Sequence, residues 1–306
     1  MRVPPVVAIL GPTASGKSAL AMDLARQLGG EILCCDSMQV YRGMDIGTAK
    51  PTREERAAIP HHLLDLVTPA EQFHAAAWAE AAQTIIKDAE KRECLPIIVG
   101  GTGLYYRALV RGLFEAPRPD PAIRARHQAE AAELGIPALH KRLSEIDQEA
   151  AAKIQPSDLV RISRALEVFE QTGATISELR RQQPVVHPPL RIFSVLLDFD
   201  LSYLRKRIAE RVDHMITAGF VDEVSSLRAA GFTSARSLQA LGYKQLGQYL
   251  DEALTLEEAV ADTKSATAAY ARRQRTWFRR EEITLRSSHP LVPSALAHLI
   301  RGWLLT

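Results

Sequence analysis

A chain of 306 residues with 46% hydrophobic and 24% charged content is an ordinary globular protein, long enough for one large core and a smaller lobe. Its formal charge of +2 is too mild to establish a nucleic-acid partner, so the distribution of charge matters more than its sum. Three cysteines without a pairing framework or metal-ligand spacing, no apolar run near the roughly 20 residues of a membrane span, and a first strand too early for a signal peptide point to a cytoplasmic protein with no membrane contact, expected to be a monomer.

The first apolar run, Val6 to Leu10, empties into Gly11, Pro12, Thr13, Ala14, Ser15, Gly16, Lys17 and Ser18, and a helix is expected from Ala19 to Leu28. This is the full G-x-x-x-x-G-K-[S/T] phosphate-binding pattern between a buried strand and a helix. Glycines let backbone N–H groups turn around a diphosphate, the helix start adds its positive dipole end, Lys17 neutralises phosphate oxygens, and the Ser18 hydroxyl can ligate Mg²⁺. Glu31 to Cys35 reads as a second strand that delivers Asp36, Ser37, Met38 and Gln39 to its carboxyl end, followed by a glycine-rich loop and His61-His62. A helix from Ala75 to Arg92 leads into a third strand, Leu95 to Val99, which ends in Gly100-Gly101-Thr102. Alternation of this kind predicts an α/β fold, a P-loop NTPase-like parallel sheet flanked by helices.

At Ala116-Pro117 the composition changes, and helical periodicity holds until a fourth strand at Ile192 to Leu197. The expected organisation is a catalytic core over 1–116, an inserted all-helical domain over 117–189, and a second part of the core with helical, basic C-terminal segments over 190–306. Within the insertion, Leu159, Ile162, Leu166 and Phe169 share a face behind a Ser157/Asp158 cap, and Gly173 closes the helix. Ser202 is read as the cap of the next helix, and Thr255-x-x-Glu258 as the capping box of the longest one, running to about Trp277.

The loop alone leaves kinases, switches and group transferases open. The third strand is followed by no carboxylate, and no guanine-reading Asn-Lys-x-Asp occurs. The acid at the sheet edge is Asp36, placed where a base could take a substrate proton, although a strand-end Asp can also serve turn chemistry alone. Arg207 and Arg211, four apart, could clamp diphosphate oxygens or sit on the surface paired with Glu210 or Asp213. Five arginines with Trp277 and Phe278 between Tyr270 and Arg280 suit RNA phosphates and base stacking, or a basic helix end with Trp277 in the core.

Six blocks in order, Gly11 to Ser18, Asp36 to Tyr41, Gly47 to Lys50, Gly100 to Tyr106, Leu241 to Lys244 and Arg273 to Phe278, resemble the bacterial tRNA dimethylallyltransferases (tRNA isopentenyltransferases) over nearly the whole chain. The resemblance implies transfer of a dimethylallyl group from dimethylallyl diphosphate to N6 of adenosine 37 in the tRNA anticodon stem-loop, with Mg²⁺. It implies that the loop N–H groups, Lys17 and Mg²⁺ at Ser18 grip a leaving diphosphate, that Asp36 tends the adenine amine, and that Thr102 lines the reaction channel. It also implies tRNA contacts at Asp36, Ser37, Met38, Gln39 and Thr102, at Arg124, at Val160, Arg161, Ile162, Ser163 and Arg164, at Tyr243 and Lys244, and at Arg272, Arg273, Gln274, Thr276, Trp277 and Arg279. Gln39 is expected to read a base edge with donor and acceptor together. The competing readings are an adenylate isopentenyltransferase, a small-molecule kinase, and a non-catalytic, nucleotide-gated RNA-binding protein.

Overall fold

The computed structural model describes residues 3–113, 117–182 and 190–306. These divide into two compact units, one drawn from Met1–Val110 and Pro188–Thr306, the other from Arg111–His187. The expected boundary residue Ala116 and the expected end of the insertion at 189 lie outside the described residues.

The larger unit is built on β1 (Pro5–Leu10), α1 (Lys17–Leu28), β2 (Gly30–Cys35), α2 (Arg53–Ala58), β3 (His61–His62), α3 (Ala75–Lys91), β4 (Leu95–Gly100) and α4 (Gly103–Arg111). Their sheet has six parallel strands in the order β3-β2-β4-β1-β5-β6, completed by β5 (Arg191–Leu197) and β6 (Leu285–Ser287). The long strands are apolar on both faces because helices cover both, and Val7, Ile9, Ile97 and Val195 are buried in one cluster with Leu24, Ile208 and Ile300. Burying such side chains is worth about 1.5–3 kcal/mol each, which holds the sheet edge rigid. The chain leaves β1 toward β2 on one side, while β5 lies on the other. The carboxyl end of β1 is therefore a switch point, where open α/β sheets place their ligands.

Two short edge strands depart from the expectation. β3 pairs His61 and His62 with Ile32 and Leu33, where a loop was read, and β6 falls in a stretch read as helical. Two or three residues are too few to display an alternating pattern; register against a long neighbour makes them strands. α1 starts at Lys17, two residues before expected, because Gly16 takes the left-handed conformation (φ 84°) that turns the loop into the helix.

The remaining helices of this unit are α10 (Leu201–Thr217), α11 (Phe220–Leu227), α12 (Tyr243–Leu250), α13 (Leu256–Phe278) and α14 (Pro293–Leu304). Asp200, not Ser202, stands at the N-cap of α10, whereas the capping box of α13 has both its bonds, Thr255 to Glu258 and back. The second unit contains α5 (Pro121–Leu134), α6 (Ile136–Ile146), α7 (Gln148–Lys153), α8 (Leu159–Thr172) and α9 (Ile176–Gln182) around Leu139, Leu143, Ile162, Leu166 and Val168. α8 is capped by Asp158 and closed by Gly173 (φ 72°), the two signals its sequence carries. Among the described residues, no helix is long and apolar enough to cross a membrane.

Candidate active site

The loop between β1 and α1 is tied down from both sides. Lys17 Nζ folds back to donate to Pro12 O at 3.2 Å, and Ser15 N donates to the same carbonyl at 3.3 Å. Gln274 of α13 is buried, and its amide bridges two loops: Oε1 accepts from Thr13 N at 2.9 Å, and Nε2 donates to Gly101 O at 2.9 Å. The ends of β1 and β4 are thereby held together. A Cβ on Gly11 would come within 2.9 Å of both Leu197 O and Ser15 Oγ, so the chain passes here only as glycine. Ser15 Oγ is buried with no partner among the described residues, a hydroxyl free for a ligand oxygen.

Three cations gather at this edge. Burial and the neighbouring Arg211 bring the Lys17 ammonium down to about 8, against an upward pull from Asp36. Arg211 is itself lowered by burial and favoured by Asp36, so Asp36, Lys17 and Arg211 sense one another across the site. Arg207 reaches the loop beside Gly16, where a Cβ would lie 3.8 Å from its Nη2; its Nη1 donates to Tyr203 Oη at 2.9 Å. Neither arginine is paired with Glu210 or Asp213, since Asp213 takes Lys264 at 2.6 Å. Among the described residues, no carboxylate lies within ion-pair distance of Lys17, Arg207 or Arg211.

Asp36 does turn chemistry and more. Its Oδ1 accepts Met38 N at 2.8 Å, which orients the carboxylate while its charge bears on Lys17 and Arg211. Thr102 stands across from it. Its Oγ1 accepts from Ser37 N at 3.0 Å and lies 3.5 Å from Ser37 Oγ, while Thr102 N donates to Cys35 O at 3.2 Å. The Thr102 hydroxyl therefore joins the ends of β2 and β4 instead of capping α4. Tyr270, which the sequence reading passed over, lies beside Thr102; burial, with Asp36 adding to it, pushes its phenol up to about 12.

With this geometry, comparison with known proteins becomes decisive. The sequence model of the IPP transferase family matches residues 39–281. A tRNA dimethylallyltransferase of Roseiflexus sp. (strain RS-1) is 47% identical over 98% of this chain and 99% of its own. One from Geobacter metallireducens is 45% identical over 93% of each. The chain is a member of the IPP transferase family of tRNA dimethylallyltransferases. Solved relatives share its fold: the full-length tRNA isopentenylpyrophosphate transferase of Bacillus halodurans superposes with a TM-score of 0.71 at 38% identity, covering 99% of this chain and 96% of that one. A eukaryotic dimethylallyltransferase described as acting on tRNA gives 0.78 at 26% identity, covering 97% of this chain and 77% of that one.

For this member of the family, several expected RNA contacts are internal. Gln274 is the bridge just described, with both ends of its amide occupied. Tyr243 is buried and donates its hydroxyl to Glu223 at 2.6 Å, so it cannot touch an RNA backbone. Ile162 is in the core of the helical unit, and Ser163 is buried with its Oγ 2.9 Å from His127 Nδ1. Arg124 and Arg164 are half-buried, and both pair with the fully buried Glu167, at 3.1 and 2.6 Å. Trp277 is half-buried, its ring against Gly103 and under the Arg107 guanidinium at 4.2 Å, and Phe278 is wholly buried, so Phe278 presents no open stacking face. Gln39 is also changed: its Nε2 donates to Thr48 O and Ala49 O, leaving Oε1 alone to meet a ligand.

The solvent-facing candidates are Arg272, Arg273, Thr276 and Arg279 on or beside the end of α13, Lys244, and Val160 and Arg161 in the helical unit. Arg275 is tied to Asp198 at the end of β5 at 2.5 Å. His62 pairs with Glu31 at 2.8 Å, and no cluster of three His, Cys, Asp or Glu suited to a metal occurs among the described residues.

Proposed function

We propose that this chain transfers the dimethylallyl group of dimethylallyl diphosphate to N6 of adenosine 37 beside the tRNA anticodon, working as a single chain in the cytoplasm. The observation that carries the reading is the meeting of Asp36 with Lys17 and Arg211 at the end of β1, a carboxylate facing an otherwise unpaired cationic cradle. Lys17, the loop N–H groups, Ser15 Oγ, Arg207 and Arg211 hold the diphosphate and stabilise the charge that develops as the allylic C–O bond breaks and its electron pair leaves with diphosphate. The adenine amine forms the new C–N bond, and its proton passes to the Asp36 carboxylate. Thr102 and Tyr270, both beside Asp36, position the amine and limit water at the reacting centre.

Mg²⁺ suits the residues present. Without a carboxylate cage, its protein ligand would be the exposed Ser18 hydroxyl at the start of α1, the rest of its shell being diphosphate oxygens and water. There it would neutralise charge on the leaving group. Arg272, Arg273, Thr276, Arg279 and Lys244, with Val160 and Arg161 of the helical unit, supply the exposed RNA contacts.

The test mixes the protein with Mg²⁺, labelled dimethylallyl diphosphate and unmodified tRNA, with AMP as the alternative acceptor and labelled ATP as the alternative donor. Label in tRNA alone supports the reading. Label in AMP alone would make the protein an adenylate isopentenyltransferase, phosphate transfer from ATP a kinase, and binding without transfer an RNA-binding protein.

A further inference from the structure

The carboxylate of Glu223, on α11, occupies a backbone nest. It accepts from the successive N–H groups of Asp45 (2.9 Å), Ile46 (2.6 Å) and Gly47 (3.1 Å), and from the Tyr243 hydroxyl at 2.6 Å. Three consecutive amides around one carboxylate fix a loop as firmly as a helix cap does. The fit is also steric, since a Cβ on Gly47 would lie 2.2 Å from Phe220 and 2.6 Å from the Tyr243 ring. The same loop carries the two carbonyls, of Thr48 and Ala49, that accept from Gln39 Nε2 at 3.1 and 3.2 Å. Two acceptors facing one end of an amide assign that end as NH₂. Oε1 has no partner among the described residues.

We infer that Glu223 and Tyr243 are positioning residues: by fastening the 45–49 loop, they lock the Gln39 amide in one orientation, so that it offers the incoming base an acceptor only and selects a purine bearing an exocyclic amino group. Gln39 follows Asp36 by three residues on the loop after β2, so both leave the same edge of the sheet. A flipped amide would set Oε1 against two carbonyls, and that repulsion excludes a base presenting an acceptor at this point. This inference rests on the RNA-modifying reading of the same site.

The experiment measures the dissociation constant of the full-length protein for two anticodon stem-loop RNAs, one with adenosine and one with purine riboside, which lacks the amino group, at the target position. Wild-type protein is expected to prefer adenosine about tenfold, the worth of one well-made hydrogen bond with its desolvation penalty. Tyr243→Phe keeps the ring against Phe220 and removes one bond to Glu223; it should reduce the preference several-fold, and Glu223→Gln should reduce it further. In a Gln39→Met background, neither substitution should alter what preference remains. A loss of affinity for both RNAs in equal measure would make Glu223 and Tyr243 purely structural and overturn the inference. So would an effect on the preference that persists without Gln39. A wild-type protein that binds neither RNA would instead refute the RNA-modifying reading itself.

Discussion

The phosphate loop of the larger unit and the core of the helical unit treat their arginines in opposite ways. In the helical unit, Arg124 and Arg164 converge on Glu167, whose side chain is fully buried and also accepts from Asp120 N at 2.6 Å; nearby, His127 is fully buried between Ser163 and Glu170. At the carboxyl edge of the sheet, Lys17, Arg207 and Arg211 surround the loop with no carboxylate at ion-pair distance among the described residues. A buried ion pair orders a fold, because removing one partner strands the other charge in a poor solvent. A half-buried cation without a counter-charge, as at Lys17 and Arg211, is unfavourable until an anion arrives. The difference separates arginines that hold the protein together from arginines that hold a ligand.

The sharpest way to break this comparison is at the one acid facing the cradle. Asp36→Asn should lower kcat by roughly a thousandfold, as loss of a positioned general base does, while affinity for dimethylallyl diphosphate stays within a few-fold; steady-state kinetics separates the two. Next is the paired side. Glu167→Ala should destabilise the helical unit by about 1.5–3 kcal/mol, since the arginines it frees keep some access to water, seen as a separate early transition in calorimetry, and should leave diphosphate affinity of the other unit intact.

A third prediction uses protons. Lys17 titrates near 8 in the folded protein against an ordinary 10.5, so its cation is lost as pH rises through about 8. kcat/KM for the diphosphate substrate should fall above that point, with the midpoint moving upward in the complex, where an anion favours the charge. The stability effect has the opposite sign. The unfolded chain holds more protons between about 8 and 10.5, so the Lys17 contribution to folding improves with pH in that window. The smallest effect is expected at the exposed arginines: Arg273→Gln or Arg279→Gln should weaken RNA binding a few-fold and lower its salt slope by about one each.

What sequence makes legible follows from how local the determinants are. The phosphate loop, its flanking strand and helix, and Asp36 at the next strand end are contiguous signals, and the structure places them together. The resemblance through Gly47 to Lys50 and Leu241 to Lys244 also marked real partners, but it suggested RNA contact where Gly47, Tyr243 and Glu223 meet each other. Burial was the missing information. An arginine-rich run does not reveal that Gln274 and Phe278 face inward while Arg273 and Arg279 face out, and no spacing links Gln274 to Thr13 and Gly101. Glu223 and Glu167 were missed for the same reason: a lone Glu on an amphipathic helix carries no mark of a partner far along the chain.

The central claim, that cations unpaired in the fold are the ones that grip diphosphate, is most directly tested by calorimetric titration of inorganic diphosphate into wild-type protein, Arg211→Gln and Arg161→Gln. Arg211→Gln should lose at least about tenfold in affinity, the worth of a charge-assisted contact, and Arg161→Gln, in the helical unit, should match wild type. Equal affinities for all three proteins would contradict the account.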